Sequence, residues 1–230
     1  MIYADYNATY PISEDHTRKV LEQLSSAEVG NPSSIHSHGR KGKNLLEGAR
    51  QQIASCLGVQ AQEIYFTSGA TESNNLVLRS LCRNRTSKQC NGITSPAEHP
   101  SVYQTILEME SRGYCRKQEL TLDHSGQINL DHLLSLVDET TDFLTLIHVN
   151  NETGIVQPVK EISQRVKDKA PKIHIHVDQV QALGKLNLSQ LSEYPIDSAS
   201  FSAHKVGGLP GIGCLYLKKT SVKPLFFGGG

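Results

Sequence analysis

Four short stretches place side chains capable of chemistry directly behind apolar runs. Lys205 follows His204 in SFSAHKVGG, residues 200–208, where an apolar run gives way to glycine. Asp178 follows IHIHV, residues 173–177, with Gln181 three positions on. Asn150 and Asn151 follow FLTLIHV, residues 143–149, and Ser68-Gly69-Ala70-Thr71 follows EIYFT, residues 63–67. Taken singly, each has an ordinary reading. A lysine after a strand is by default a surface charge on a turn. Paired asparagines form Asx-turns. Ser68 at a helix start reads best as a cap, although free N–H groups and a glycine there also suit an anion. His174, His176 and Asp178 alternate and so share one strand face. That spacing invites a metal, but no clear further ligand accompanies it, and a metal is not expected.

Those residues need elements to position them. Short apolar runs predict strands over residues 63–67, 92–94, 143–149, 173–177, 196–201 and 213–217, with another beginning at Cys115. Helical spacing predicts helices over 17–24, 43–57, 70–82, 101–112, 130–137 and 159–166. The continuous apolar run at 143–149 suits a strand buried on both faces. This alternation predicts an α/β fold, a mostly parallel sheet with helices on both faces. In such sheets ligands sit outside the carboxyl ends of the strands. The four stretches therefore converge on one sheet edge, bringing together an amine, a carboxylate, an amide and a turn of N–H donors. That set matches pyridoxal 5′-phosphate. The cofactor needs a lysine for its Schiff base, an acid for its ring nitrogen and a cradle for its phosphate.

The sequence also resembles the cysteine desulfurases of the NifS/IscS class, fold-type I pyridoxal phosphate enzymes related to class V aminotransferases. The resemblance rests on DYNATYP (5–11), GNPSSIHSHGR (30–40), FTSGATESNN (66–75), EHPSV (98–102), HVNNETGIVQP (148–158), HVDQVQALGK (176–185) and SFSAHKVGGLPGIG (200–213), in the family's order. It implies that Lys205 forms the Schiff base, and that His99 stacks on the ring and aids proton transfer. Asp178 would pair with the ring nitrogen. Gln181 and Asn151 would reach the ring hydroxyl, with Asn151 also near the substrate. Thr71, with the backbone of Ala70 and Gly69, would hold the phosphate, joined by Ser202 and His204. The implied reaction takes sulfur from L-cysteine, leaving L-alanine and an enzyme persulfide for iron–sulfur cluster assembly or thiolation. A homodimer and a sulfur-acceptor or scaffold protein are implied as partners.

The resemblance has two departures. The proline after the lysine, Pro210, is displaced by one position from the family pattern. The family also continues past a stretch like Pro224–Gly230 into a small domain with a substrate-binding arginine and a catalytic cysteine loop. The chain therefore reads as an N-terminal segment (1–15) and a cofactor-binding large domain (16–230), with the C-terminal domain missing. None of the five cysteines is expected to serve as nucleophile. Cys56 and Cys214 read as core, Cys82 and Cys90 flank the basic loop RNRTSK, and Cys115 opens a strand. Two other readings stay open: a selenocysteine lyase or related class V enzyme, and a non-catalytic or split module completed by a partner chain.

Composition limits the alternatives. A chain of 230 residues suffices for one well-buried domain. With 23 basic and 23 acidic side chains and no basic block, nucleic acid is not an expected partner. No apolar stretch is long enough to span a bilayer, and the N-terminus lacks a signal-peptide pattern. An odd number of cysteines without a CxxC motif suits a reducing compartment, and a cytoplasmic location is expected.

Overall fold

The computed structural model describes residues 2–26, 30–83, 89–218 and 222–227. Among these residues are six α-helices and seven strands: α1 (Glu14–Ser26), α2 (Ser37–Leu57), β1 (Ile64–Thr67), α3 (Ala70–Arg83), β2 (Cys90–Thr94), α4 (Pro100–Ser111), β3 (Cys115–Glu119), α5 (Leu130–Leu136), β4 (Phe143–Ile147), α6 (Val159–Lys169), β5 (His174–Asp178), β6 (Ser198–Ser202) and β7 (Gly213–Leu217). They form one sheet in the order β1-β7-β6-β5-β4-β2-β3. From β6 to β3 the neighbours run parallel. β7 runs antiparallel to both β6 and β1. Two reversals restore the direction of β1, so its carboxyl end lies on the same edge as those of β4, β5 and β6.

Helix starts differ from expectation for local reasons. The expected helix at 43–57 begins at Ser37, because His36 caps it by accepting from the Gly39 N–H at 3.2 Å. Polar residues and glycines obscure that first turn. Gly39 is required there, since a Cβ would stand 2.2 Å from the Ser34 carbonyl oxygen. The expected helix at 17–24 starts at Glu14, where the Ser13 hydroxyl accepts from the His16 N–H at 3.1 Å. The strand expected at 196–201 is observed at Ser198–Ser202, and the helix expected to end at 166 continues to Lys169.

β4, β5, β6 and β7 are buried along their whole length. One face is apolar. Leu144, Leu146, Ile175, Val177, Ala199, Phe201 and Tyr216 join residues of α2, α5 and α6 in one cluster. The other face, beneath α3 and α4, carries Thr145, His174, His176, Asp178, Ser198, Ser200 and Ser202, all buried. Apolar packing on that side is confined to two smaller clusters, around Leu78, Ile106 and Phe143 and around Val77, Leu215 and Leu217. Among the described residues no helix is long and apolar enough to cross a membrane.

Candidate active site

The carboxyl edge of the sheet opens into a cavity of about 470 Å³, a volume suited to a small ligand. It is lined by all ten residues expected at a site: Gly69, Ala70, Thr71, His99, Asn151, Asp178, Gln181, Ser202, His204 and Lys205. Each arrives by a simple route. Gly69, Ala70 and Thr71 join β1 to α3, and Asn151 follows β4. Asp178 and Ser202 end β5 and β6, and Lys205 closes the single 3-10 turn Ala203–Lys205 behind β6. His99 is the N-cap of α4, with Pro100 at the first helical position.

Lys205 is half-buried, and its Nζ donates to the backbone carbonyls of Asn7 at 3.0 Å and Ala8 at 2.7 Å. Burial holds its ammonium below the ordinary lysine range, while the negative charges of Asp5 and Asp178 pull it back. An amine held by carbonyls, with a lowered proton affinity, suits a nucleophilic role. The N-terminal strip does the holding. The Tyr10 N–H donates to the His204 carbonyl at 3.0 Å, and Gln181 Nε2 donates to the Asn7 carbonyl at 2.9 Å. Lys185 donates to the Asn7 side-chain oxygen at 2.9 Å and also reaches Gln181.

Asp178 is 4% exposed. Its Oδ1 accepts from the Val180 N–H at 3.0 Å and its Oδ2 from Asn74 Nδ2 at 3.2 Å. Burial pushes its carboxyl up, and those two donors with the nearby Lys205 charge act against that rise. A cationic ring nitrogen would supply what this carboxylate needs. Glu98, beside it and 7% exposed, has no hydrogen-bond partner for either oxygen. Burial first, and the Asp178 charge second, hold its carboxyl well above the usual range. Thr145 and the Ile147 backbone lean the other way but lie outside hydrogen-bond geometry. Of two neighbouring acids, the one without donors keeps the proton.

At the start of α3 the first-turn N–H groups have no partner within the helix. Ser68 turns away from them, donating its N–H at 2.7 Å and its hydroxyl at 2.6 Å to the Glu72 carboxylate. Gly213 gives this turn its room, since a Cβ there would stand 2.5 Å from Gly69 Cα. Ser202 and His204 bond to each other at 2.8 Å. Their hydroxyl and imidazole, with the free amides, make a donor set that fits a phosphate. Lysine, buried acid and anion cradle thus fit pyridoxal 5′-phosphate. The displaced Pro210 and the neighbouring Gly211 still reach the cavity wall.

The asparagine pair divides its work. Asn150 makes an Asx-turn, accepting from the N–H groups of Glu152 at 3.0 Å and Thr153 at 2.8 Å, while Asn151 faces the cavity. His174 and His176 spend ring nitrogens on Ser198, at 2.8 Å each, and His176 also bonds Asn74 at 2.8 Å. Burial depresses their pKa values to about 4 and about 3. One cysteine departs from expectation. Cys56 is exposed on α2 rather than in the core, because Ala54 and Leu57 take the inward positions of that turn. Cys82, Cys90, Cys115 and Cys214 are buried. Most of the basic loop after Cys82, residues 84–88, lies outside the described residues, as do the glycines at 228–230. Asn7, Asn74, Glu98 and Ser101 were not expected. All four lie inside the matched motifs, but their parts depend on contacts across the fold that spacing does not show.

Residues 2–230 match the family Aminotransferase class-V. A NifS/IcsS protein homolog of Lactobacillus delbrueckii subsp. bulgaricus is 43% identical over the whole chain, which covers 59% of that protein. The cysteine desulfurase IscS of Dictyoglomus turgidum is 35% identical over 99% of the chain and 57% of its own length. A solved structure of SspA in complex with cysteine superposes with a TM-score of 0.92 at 36% identity, covering 100% of this chain and 66% of that one. The chain thus spans under two thirds of the length of these curated relatives.

Proposed function

The chain belongs to the class-V aminotransferase family, and from that premise we propose that it is the cofactor-binding portion of a pyridoxal 5′-phosphate-dependent cysteine desulfurase acting on L-cysteine. The observation that carries this reading is the convergence of the Lys205 amine and the buried Asp178 carboxylate on one cavity with the Gly69–Thr71 turn. Pyridoxal phosphate, bound there, supplies an electron sink conjugated to the amine it holds. Lys205 would hold it covalently, and its amine would be available as a base. Asp178 would keep a proton on the ring nitrogen. Thr71 with the Gly69 and Ala70 backbone, joined by Ser202 and His204, anchors the phosphate. Gln181 and Asn151 would orient the ring hydroxyl, and His99 would cover the ring.

Sulfur transfer needs an exposed thiol beside the substrate. Four of the five cysteines are buried, and Cys56 does not line the cavity. The chain alone is therefore proposed to bind the cofactor without completing turnover. A second protomer, as in a homodimer, and a sulfur-accepting protein belong to the same reading.

The test is to add pyridoxal phosphate to the purified chain, reduce with borohydride and map the adduct by peptide mass spectrometry. A single adduct on Lys205, lost in Lys205→Ala, is expected. Labelling scattered over surface lysines defeats the reading. Alanine release from cysteine is expected to be absent, and release at the rate of an ordinary desulfurase would show that one of the five cysteines transfers sulfur after all.

A further inference from the structure

Asn74 lies on α3 with no exposure to solvent, and it bonds Asp178 directly and reaches His99 through Ser101. Its Nδ2 is 3.2 Å from Asp178 Oδ2 and 2.8 Å from Ser101 Oγ, and its Oδ1 is 2.8 Å from His176 Nε2. An ionised Asp178 admits one orientation of this amide. Turned over, it would set its carbonyl against the carboxylate and take away the donor of Asp178 Oδ2. With Nδ2 donating to Asp178 and Ser101, the direction of every neighbouring bond follows. His176 donates from Nε2 to the Asn74 oxygen, so its Nδ1 is an acceptor for the Ser198 hydroxyl at 2.8 Å. Ser198 in turn accepts from His174 Nε2 at 2.8 Å. On the other branch Ser101 accepts from Asn74 and is free to donate to His99 Nδ1 at 2.8 Å. The Ser101 N–H donates to that nitrogen as well, at 3.1 Å.

We propose that Asn74 is a positioning residue that converts the charge of Asp178 into a fixed hydrogen-bond direction, locking His174 and His176 as Nε2–H tautomers and keeping His99 Nδ1 an acceptor. One N–H and one O–H donor on Nδ1 leave the ring proton of His99 on Nε2. The ring lining the cavity then presents its Nε2–H as a hydrogen-bond donor. His174 and His176 are buried and neutral at pH 7, so their tautomers report the direction without interference from titration.

The relay stands on this chain's own contacts, and its bearing on catalysis rests on the proposed cofactor site. It is therefore tested without cofactor. Long-range 1H–15N NMR of the 15N-histidine-labelled chain at pH 7 reads each tautomer, with signals assigned through single His→Gln variants. In the wild-type chain His174 and His176 are expected in the Nε2–H form, with His99 Nδ1 unprotonated. Asp178→Asn is the decisive variant. Val180 still requires an acceptor, so the new NH2 group faces Asn74, whose amide must turn over. His176 then has to accept at Nε2 and donate from Nδ1, and Ser198 has to reverse toward His174. Both histidines are expected to switch to Nδ1–H, and the switch is expected to vanish in the double variant with Asn74→Ala. A folded Asp178→Asn chain with both tautomers unchanged overturns the proposal. So does a wild-type His176 carrying its proton on Nδ1, whether or not the variants fold. Failure to bind cofactor at Lys205 would leave these outcomes untouched and count only against the functional reading.

Discussion

Along β5, Ile175 and Val177 turn toward α2, α5 and α6 and meet hydrocarbon, while His174, His176 and Asp178 turn toward α3 and meet hydroxyls, amides and N–H groups. β6 repeats the division, with Ala199 and Phe201 on one side and Ser198, Ser200 and Ser202 on the other. The apolar face holds the sheet together by area removed from water, which is insensitive to direction. The polar face gains less from burial and pays for its polar atoms unless each finds a partner in the right orientation. The face that leads to the cavity is the one whose interactions are directional. Stability and positioning are thus separated across a single layer of backbone.

Substitutions can break that separation or sharpen it. The largest effect is expected on the apolar face. Leu146→Ala, at a site with no solvent exposure, is expected to cost about 2–5 kcal/mol in urea unfolding. Lys205 labelling of the chain that stays folded is expected to be unchanged. Loss of selective labelling at full folding would show that the two faces are coupled.

Next comes acid. Burial depresses His174 from 6.5 to about 4, so the unfolded chain binds the proton first. Stability is complete above the unfolded value and is lost as pH falls toward the folded one, by about 3 kcal/mol at the lower limit. Glu98 and Asp178, whose carboxyls are raised, act in the opposite sense. The difference between wild type and His174→Gln isolates the histidine. That difference should shrink between pH 7 and pH 4, and a constant difference would mean that His174 is not a buried neutral ring.

The smallest effects make the sharpest pair. Ser198 and Ser200 share a strand and a face, and both are fully buried. Ser198 serves two histidines, whereas the Ser200 hydroxyl has no partner. Ser198→Ala is expected to cost about 1–3 kcal/mol by stranding ring nitrogens. Ser200→Ala is expected to change stability by less than about 1 kcal/mol, in either direction. Equal costs would mean that the face is governed by packing rather than by hydrogen bonding.

Much of this was legible in the sequence. The continuous apolar run at 143–149 marked a strand buried on both faces, and alternation marked the two sides of β5. Polar residues directly behind apolar runs marked the cavity wall, because parallel strands deliver their carboxyl ends to one edge. What spacing could not show was partnership at long range. Asn74 bonds across 104 positions to Asp178, and Lys205 across 198 to Asn7. Both asparagines sit in polar stretches where any turn or helix surface would read the same. Cys56 was misplaced because a cysteine in a stretch with Ile53, Ala54 and Leu57 looks inward, and the 3.6-residue period turned it out. The reversal of β7 was equally hidden, since a buried strand reads alike in either direction.

That reversal has a consequence for how the cavity comes into being. β1, which leads into the Gly69–Thr71 turn, lies at the sheet edge and pairs only with β7, through partners such as Ile64 and Tyr216 roughly 150 residues apart. On a translating ribosome at about 5–20 residues per second, β1 waits on the order of ten to thirty seconds for its neighbour to be made. Pairings so distant in sequence also close slowly. The segment that would grip a phosphate is thus made well before the strand that seats it, and a ligand reaching the nascent chain would find the lysine side of its site still unbuilt.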